Sequence, residues 1–237
     1  MSWFARWRLA LQQWWYHSKL SRRHAARLTA RHGDHRIHRI PSDGYPTLAA
    51  FYTRRYQRHA RPVDHAARSI CSPIDGIIAP HSKSMAPLLL ADTPYALHYH
   101  HHEAVLITPV GTDSYRIHTP IAGSITTCTV LPATENVAAR LVCDITTAQG
   151  YKMVLIAADS SAVGTAVATY NPGINYQLAG SEIGYITFGT PIVGLFAAPY
   201  ALTPLSSAGT RVQMGSRIAQ WAAPLTLDTE RTQATSC

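Results

Sequence analysis

Residues 180–193 read GSEIGYITFGTPIV, and the second half of this stretch opens a β-rich run at Thr187–Phe196. Shorter runs of the same kind precede it, separated by Gly, Pro and Asp residues, at Ala104–Thr108, Ser124–Leu131, Lys152–Ala157 and Ala162–Thr169. Apolar and β-branched runs at such intervals are typical of antiparallel sheets. From Ile70 onward, the sequence therefore predicts a mainly antiparallel β domain.

The N-terminal residues have a different pattern, which predicts helices. Large apolar residues recur there at helical spacing with basic residues between them: Phe4, Trp7, Leu11, Trp14 and Trp15. This spacing indicates one or two amphipathic helices over residues 3–31, ended near Gly33. Thr47 is predicted to cap a further short helix that runs to about Tyr56.

These patterns divide the chain into three parts and give an α+β fold class. Residues 1–40 form a basic, Trp-rich amphipathic helical extension, residues 41–224 form the β-rich domain, and residues 225–237 form a polar tail. The tail lacks apolar periodicity, so we expect it to be loosely held.

The positive charge of the chain is concentrated in its first quarter. Residues 1–68 hold 14 Lys and Arg against three acids, whereas the remaining residues are acidic on balance and the whole chain carries +8. Tryptophan beside arginine suits the interface of an anionic membrane. The candidate membrane or partner contacts are Trp3, Trp7, Trp14, Trp15, Arg22, Arg23, Arg27 and Arg31. The same basic composition also fits nucleic acid, which is the less favoured partner.

Other sequence signals are weaker. No run of about 18 apolar residues occurs, so no membrane-spanning helix is predicted. The four cysteines lack CxxC spacing, which indicates neither a zinc site nor a disulfide framework and favours a reducing compartment. The histidine-rich run at 98–103 invites a metal hypothesis, but a solvated loop is the commoner interpretation, and no metal is expected.

The first 33 residues contain no acid and are rich in Arg, His and Ser, as mitochondrial transit peptides are. A basic helix that stays on the mature protein is the alternative interpretation.

Three separated stretches carry a resemblance to a known family. They are YPTLAAFYTRR (45–55) with ARPVD (60–64) and SPIDG (72–76), then DSYRIHTPIAG (113–123), then residues 180–193. In this order and spacing they resemble the phosphatidylserine decarboxylase family over most of residues 20–220. The resemblance implies a phosphatidylserine-decarboxylase-like fold for the β domain.

The resemblance also implies a chemistry. In that family a serine hydroxyl attacks the carbonyl of the preceding glycine to give an ester, the chain breaks by elimination across the serine Cα–Cβ bond, and hydrolysis then leaves a pyruvoyl group on the new N-terminus. Its ketone forms a Schiff base with the substrate amine and accepts electrons as CO₂ leaves. An aspartate and a histidine assist the serine. The resemblance places these two at Asp75 and His118, and the bond to be broken between Gly189 and Thr190.

Position 190 departs from the family because it is threonine. A threonine hydroxyl is secondary and stiff at χ1, so its attack on Gly189 is more crowded. Cleavage there would leave an oxobutanoyl group and not a pyruvoyl group. Pro191 follows and biases Thr190 toward extended backbone. Tyr115 replaces a family histidine, and the loop Ala79–Glu103 is shortened. The family's histidine-bearing and Asn-Glu-Arg segments have no clear counterpart in Pro132–Ala148.

Together these departures predict an inactive family member, a pseudoenzyme with no cofactor. We expect it to be a structural or accessory subunit of a larger assembly, docked on an anionic phospholipid surface peripheral to the mitochondrial inner membrane, and to form a homodimer as family members do. One alternative is an active decarboxylase that makes phosphatidylethanolamine after cleavage at Gly189–Thr190. The other is an RNA- or ribosome-associated protein that binds through residues 1–40.

Overall fold

The computed structural model describes residues 3–79, 103–133, 138–159, 165–170, 176–187, 189–197 and 202–222. Its helices are α1 (Trp3–His17), α2 (Arg22–His32) and α3 (Leu48–Tyr52), and a 3-10 turn at Lys19–Ser21 joins α1 to α2. Its strands are β1 (Ser69–Cys71), β2 (Gly76–Ile78), β3 (Glu103–Thr108), β4 (Arg116–His118), β5 (Gly123–Leu131), β6 (Arg140–Thr146), β7 (Lys152–Asp159), β8 (Ala166–Ala168), β9 (Tyr176–Gln177), β10 (Glu182–Ile186), β11 (Pro191–Ala197), β12 (Leu202–Pro204), β13 (Arg211–Val212) and β14 (Arg217–Trp221).

The strands form three sheets in which all described pairings are antiparallel, so the predicted α+β class with a mainly antiparallel β domain is confirmed. The largest sheet has eight strands in the order β13-β2-β3-β11-β7-β6-β5-β9. Two three-stranded sheets have the orders β4-β10-β8 and β1-β14-β12. Strands that are distant in sequence therefore lie side by side, and β7 and β11 are neighbours at the centre.

The central strands of the large sheet are buried on both faces. Side chains alternate along a strand, and the alternate residues of β7 enter two different hydrophobic clusters. Leu155 and Ala157 join the main core with Trp221, whereas Val154 and Ile156 join a smaller cluster with Phe196. Burial on both faces fixes the register of β7 against its neighbours, because a one-residue slip would exchange its two faces.

The N-terminal helices share a third cluster with α3. Tyr16, Ala25, Leu48 and Phe51 are all buried in it. Ser21, between α1 and α2, joins the two parts: its hydroxyl donates to the Tyr16 carbonyl at 3.2 Å and accepts the Leu48 N–H at 2.9 Å. The proposed division of the chain near residue 40 therefore lies between segments that pack together, and it stays a prediction.

The helix signals in the sequence are mostly confirmed. Gly33 ends α2, with its N–H donating to the Thr29 carbonyl. The Thr47 hydroxyl accepts the Ala50 N–H at 3.0 Å and so caps α3 as expected. The expected end of α3 at Tyr56 is wrong, because α3 ends at Tyr52 and Tyr56 instead pairs with His38 as an isolated antiparallel bridge.

The expectation of no disulfide is also wrong for one pair of cysteines. Cys128 on β5 and Cys143 on β6 are directly opposite in the strand register and form a disulfide. Residue spacing alone does not reveal such a pair, because the register of two strands brings them together. Cys71 is a buried free thiol, and Cys237 lies outside the described residues.

Candidate functional site

The segment between β10 and β11 holds the Gly189–Thr190 bond that the sequence singles out. Gly189 has φ +78°, a left-handed conformation that favours glycine. A Cβ placed on Gly189 would lie 1.8 Å from Oδ1 of Asp159, a buried residue at the end of β7. The pairing of Pro191 with Asp159 across β11 and β7 creates this approach. The carboxyl group of Asp159 therefore lies directly against the glycine of that bond.

The side chain of Thr190 shares a hydrogen bond with the phenol of Tyr115. Tyr115 is buried, and its backbone N–H donates to the Tyr52 carbonyl at 2.7 Å. Burial raises the pKa of Tyr115 above its ordinary value, Tyr52 raises it further, and the hydrogen bond from Thr190 only partly offsets the rise. A phenol of raised pKa keeps its proton at neutral pH, so Tyr115 holds the threonine hydroxyl but is no base for it.

Three tyrosines connect this segment to the N-terminal helices. The ring of Tyr115 stacks on that of Tyr52 with 4.8 Å between centroids, and Tyr52 stacks on Tyr16 of α1 at 5.9 Å. Burial also raises the pKa of Tyr16 well above its ordinary value. Tyr16 of α1 is therefore linked through Tyr52 to Tyr115, the residue that contacts Thr190.

Asp75, a family position, is buried and accepts hydrogen bonds from Arg61 and from the Met214 backbone. Nε of Arg61 lies 2.9 and 3.1 Å from its two oxygens, Nη2 of Arg61 lies 2.5 Å from Oδ2, and the Met214 N–H donates to Oδ1 at 2.8 Å. Burial alone would raise the pKa of Asp75, but the hydrogen bonds from Arg61 and Met214 outweigh it and hold the pKa below its usual value. Asp75 is therefore an ionised partner of Arg61.

His118, the second family position, is buried at the end of β4. Its backbone N–H donates to the Pro73 carbonyl at 3.0 Å, and its ring Nδ1 lies 3.3 Å from the same oxygen. Burial lowers the pKa of His118, so the ring is neutral. The Tyr56 ring lies 5.7 Å from the His118 ring and stacks on the His38 ring at 5.3 Å.

Asp75 bonds Arg61 and Met214, and His118 contacts Pro73 and Tyr56, and none of these contacts tests a joint action of the two residues on Thr190. The catalytic roles that the resemblance assigns to Asp75, His118, Gly189 and Thr190 therefore stay predictions. Sequence reasoning missed Asp159 because only strand pairing brings it to Gly189. Tyr115 had a signal, since it occupies a histidine position in the second motif, and the structure places it on Thr190.

The prosthetic group that the resemblance implies does not fit these residues. A pyruvoyl group forms from serine, and the methyl group of Thr190 would remain on any ketone made at this position. The Thr190 hydroxyl also shares its hydrogen bond with a phenol that keeps its proton. We therefore assign no step of chemistry to a pyruvoyl group in this chain.

The candidate docking residues on α1 are exposed. Trp7 is 58% and Trp14 is 60% exposed, and Leu11 and Trp15 are also exposed large apolar residues. The side chain of Trp3 lies outside the described part. On α2, Arg23, Arg27 and Arg31 are exposed and recur every four residues, so they share one face of the helix. Arg22, also exposed, donates to the Asp43 carbonyl at 3.1 Å.

The described residues show neither a metal cluster nor a membrane-spanning helix. There, no three His, Cys, Asp or Glu side chains cluster as metal ligands would, and the histidine run at 98–102 lies outside the described part. No helix in the described ranges is both long and apolar enough to cross a bilayer.

Comparison with known proteins agrees with the three motifs. The family model "Phosphatidylserine decarboxylase" matches residues 48–220. A phosphatidylserine decarboxylase proenzyme of Brevibacillus brevis is 25% identical over 198 residues, which cover 65% of this chain and 71% of the relative. One from Halalkalibacterium halodurans is 22% identical over 211 residues, covering 76% and 80%. One from Marinobacter nauticus is 31% identical over 102 residues, covering 37% and 36%. Because the family match spans most of the β domain, including Asp75, His118 and Thr190, this chain belongs to the phosphatidylserine decarboxylase family.

Proposed function

We propose that this family member does not cleave itself between Gly189 and Thr190 and is a pseudoenzyme without a pyruvoyl-type cofactor. The observation that carries the proposal is the hydrogen bond between Thr190 and Tyr115. The hydroxyl that must attack Gly189 is secondary and lies against a phenol of raised pKa. Asp75 is engaged by Arg61, and the Nδ1 atom of His118 faces a backbone carbonyl. Activation of the nucleophile needs a base within hydrogen-bond reach, and Tyr115 does not supply one.

The proposal extends to an accessory role at a membrane surface. Exposed tryptophans on α1 and an exposed row of arginines on α2 support docking on anionic phospholipid, since aromatic rings suit the headgroup level and cations attract lipid phosphate. The acid-free N-terminus supports a mitochondrial location, peripheral to the inner membrane, where the protein would serve as a structural subunit of an assembly, as a homodimer.

The decisive measurement is the intact mass of the purified full-length chain. We expect one species near 26.0 kDa. Two fragments that separate before Thr190 would overturn the proposal. The variant Thr190→Ser with Tyr115→His restores the family residues at both positions and serves as the positive control. Cleavage in this double variant but not in the wild type would show that Thr190 and Tyr115 prevent self-cleavage of the wild-type chain.

The competing function is an active decarboxylase that processes slowly at threonine and makes phosphatidylethanolamine. Thr190 as a whole residue is exposed and directly follows the left-handed Gly189, so the glycine and the hydroxyl-bearing residue of the family chemistry are both present, which favours this function. Its test is production of an ethanolamine lipid by the wild type that disappears in Thr190→Ala. Binding to RNA through residues 1–40 is a separate outcome, which salt-sensitive RNA binding without affinity for anionic vesicles would favour.

A further inference from the structure

Two arginines lie directly opposite each other on a short two-stranded ribbon that precedes β1 in the chain. His38 and Tyr56 pair as an antiparallel bridge, and the Arg39 N–H donates to the Arg55 carbonyl at 2.9 Å. Arg39 and Arg55 are thus the next pair along the ribbon. Directly opposed residues of antiparallel strands project from the same face, and like charges at such positions destabilise the pairing.

Both arginines line a cleft of about 370 Å³, together with His59 and Arg61. The positive charge of these arginines exceeds the negative charge of the carboxylates beside them. Glu182 lies 3.4 Å from Nε of Arg55, but the same carboxylate also bonds Arg116 at 2.5 Å. The other carboxylate beside the cleft, Asp75, holds Arg61.

Four arginines therefore meet two carboxylates in this part of the molecule. The guanidinium of Arg39 has no hydrogen-bond or ion-pair partner among the described residues, and the side chain of Arg55 is 56% exposed. Both groups keep donors free toward the cleft. The only carboxylate paired with Arg55 or Arg39 among the described residues is Glu182, which Arg55 shares with Arg116, so the repulsion between the two opposed arginines is only partly offset.

A second feature of the cleft points to a ligand. His59, which lines it, has φ +67° and is the one non-glycine residue with positive φ in the described part of the chain. Non-glycine residues in this conformation are uncommon and concentrate at ligand clamps and other functional sites. His59, Arg39 and Arg55 all line the same cleft, so the strained backbone and the arginine pair lie beside each other.

We propose that this cleft binds a phosphate group between Arg39 and Arg55. The planar guanidinium fork matches phosphate oxygens in two parallel hydrogen bonds, and two opposed forks would share one dianion. The phosphate belongs either to a soluble phosphate ester or to a phospholipid headgroup. This binding does not require cleavage before Thr190, so it goes beyond the proposed function and is tested separately.

The soluble arm titrates inorganic phosphate and glycerol 3-phosphate into the full-length chain by calorimetry. Arg39→Gln and Arg55→Gln are each expected to weaken binding about tenfold, since each removes charged hydrogen bonds. Arg217→Gln is the matched control: this exposed arginine pairs with Asp64 outside the cleft and is expected to leave affinity unchanged.

The lipid arm uses phosphatidylcholine vesicles with and without phosphatidic acid, and the chain carries Trp7→Ala and Trp14→Ala to weaken docking by α1. Binding that depends on phosphatidic acid and is lost with Arg39→Gln assigns the phosphate to a lipid. Binding of soluble phosphate alone assigns it to a soluble ester. No phosphate binding in either arm, or equal binding by wild type and both cleft variants, would overturn the proposal.

A stability measurement checks the charge argument itself. In phosphate-free buffer, Arg39→Glu replaces an opposed like-charge pair with an opposite-charge pair, so its Tm is expected to exceed that of the wild type. Excess phosphate is expected to raise the Tm of the wild type and not that of the variant. A lower Tm for Arg39→Glu without phosphate would contradict the repulsion on which the site is argued.

Discussion

The carboxyl group of Asp159 occupies the space that a side chain at position 189 would need: Oδ1 lies 1.8 Å from the Cβ position of Gly189. The same glycine has a left-handed backbone. Position 189 therefore accepts only glycine, for two independent reasons, one in the backbone and one in the packing.

Gly189→Ala should consequently destabilise the protein more than a left-handed glycine alone would predict. Gly150, at φ +85°, has open space around its Cβ position and is the matched control. We expect Gly150→Ala to cost about 1–2 kcal/mol from backbone strain and Gly189→Ala to cost about 1–3 kcal/mol more from overpacking against Asp159. Urea unfolding measures both. Equal losses in the two variants would show that Asp159 moves aside without cost.

Asp75 and Arg61 form an ion pair with both side chains largely buried, at 5% and 11% exposure. Asp75→Asn leaves the Arg61 charge without its partner, and we expect a loss of about 3–5 kcal/mol in the free energy of unfolding. Asp64→Asn is the control, since Asp64 and Arg217 form a far less buried pair, at 30% and 46% exposure, expected to contribute less than about 1 kcal/mol. A similar loss for both variants would contradict the role of burial.

The same pair predicts an acid dependence. The pKa of Asp75 is lowered in the folded state from its ordinary 3.8. Its stabilising contribution is therefore fully present above about pH 4 and is lost as the pH falls through the lower folded value. Unfolding measured between neutral and strongly acidic pH should show this loss in the wild type. Asp75→Asn should have a flatter profile over the same acidic range.

His38 predicts a second pH dependence, with its own window. Its ring is buried, both ring nitrogens lack hydrogen-bond partners among the described residues, and burial with the charge of Arg54 lowers its pKa from 6.5 to about 4. As the pH is lowered, the unfolded chain therefore binds this proton before the folded chain does. The free energy of unfolding consequently decreases as the pH falls from 6.5 to about 4. His38→Phe keeps the stacking on Tyr56 and is expected to flatten this window without loss at neutral pH. An unchanged or steeper fall in the variant would rule out His38 as the group responsible.

Membrane docking predicts that α1 residues matter more than equally exposed residues elsewhere. We expect Trp7→Ala with Trp14→Ala to weaken cosedimentation with phosphatidylserine-containing vesicles about tenfold or more. Leu178→Ala, 63% exposed and outside α1, is the control and should bind as the wild type does. Neutralising Arg23, Arg27 and Arg31 should cost roughly fivefold each at low salt. Equal binding by the α1 variant and the control would exclude this surface.

Local signals in the sequence predicted the elements but not their pairing. Thr47 and Gly33 mark real helix ends, because a cap acts over three or four residues. The run Thr187–Phe196 predicts one strand, whereas β11 begins at Pro191, and Gly189 and Thr190 lie in the segment before it. Proline at a strand start and glycine with positive φ explain the break.

The contacts that the sequence does not predict are those created by the register of strands distant in the chain. Asp159 meets Gly189 only because β7 pairs with β11, and Cys128 meets Cys143 only because β5 and β6 align in one register. Asp75 was assigned by motif alone, and its partner Arg61 lies in the neighbouring motif without any periodic signal. Chemistry-bearing contacts in this chain therefore depend on cross-strand geometry that composition and spacing do not encode.

The stack of Tyr16, Tyr52 and Tyr115 bears on how the protein can be shortened for expression or by proteolysis. Removal of residues 1–33 would take away Tyr16, Ala25 and the Ser21 hydroxyl that bonds Leu48, and would leave the apolar face of α3 open to water. A trimmed product that begins upstream of Tyr16 keeps this face covered. Stable fragments from limited digestion should therefore begin before α1 ends and not at the glycine that follows α2.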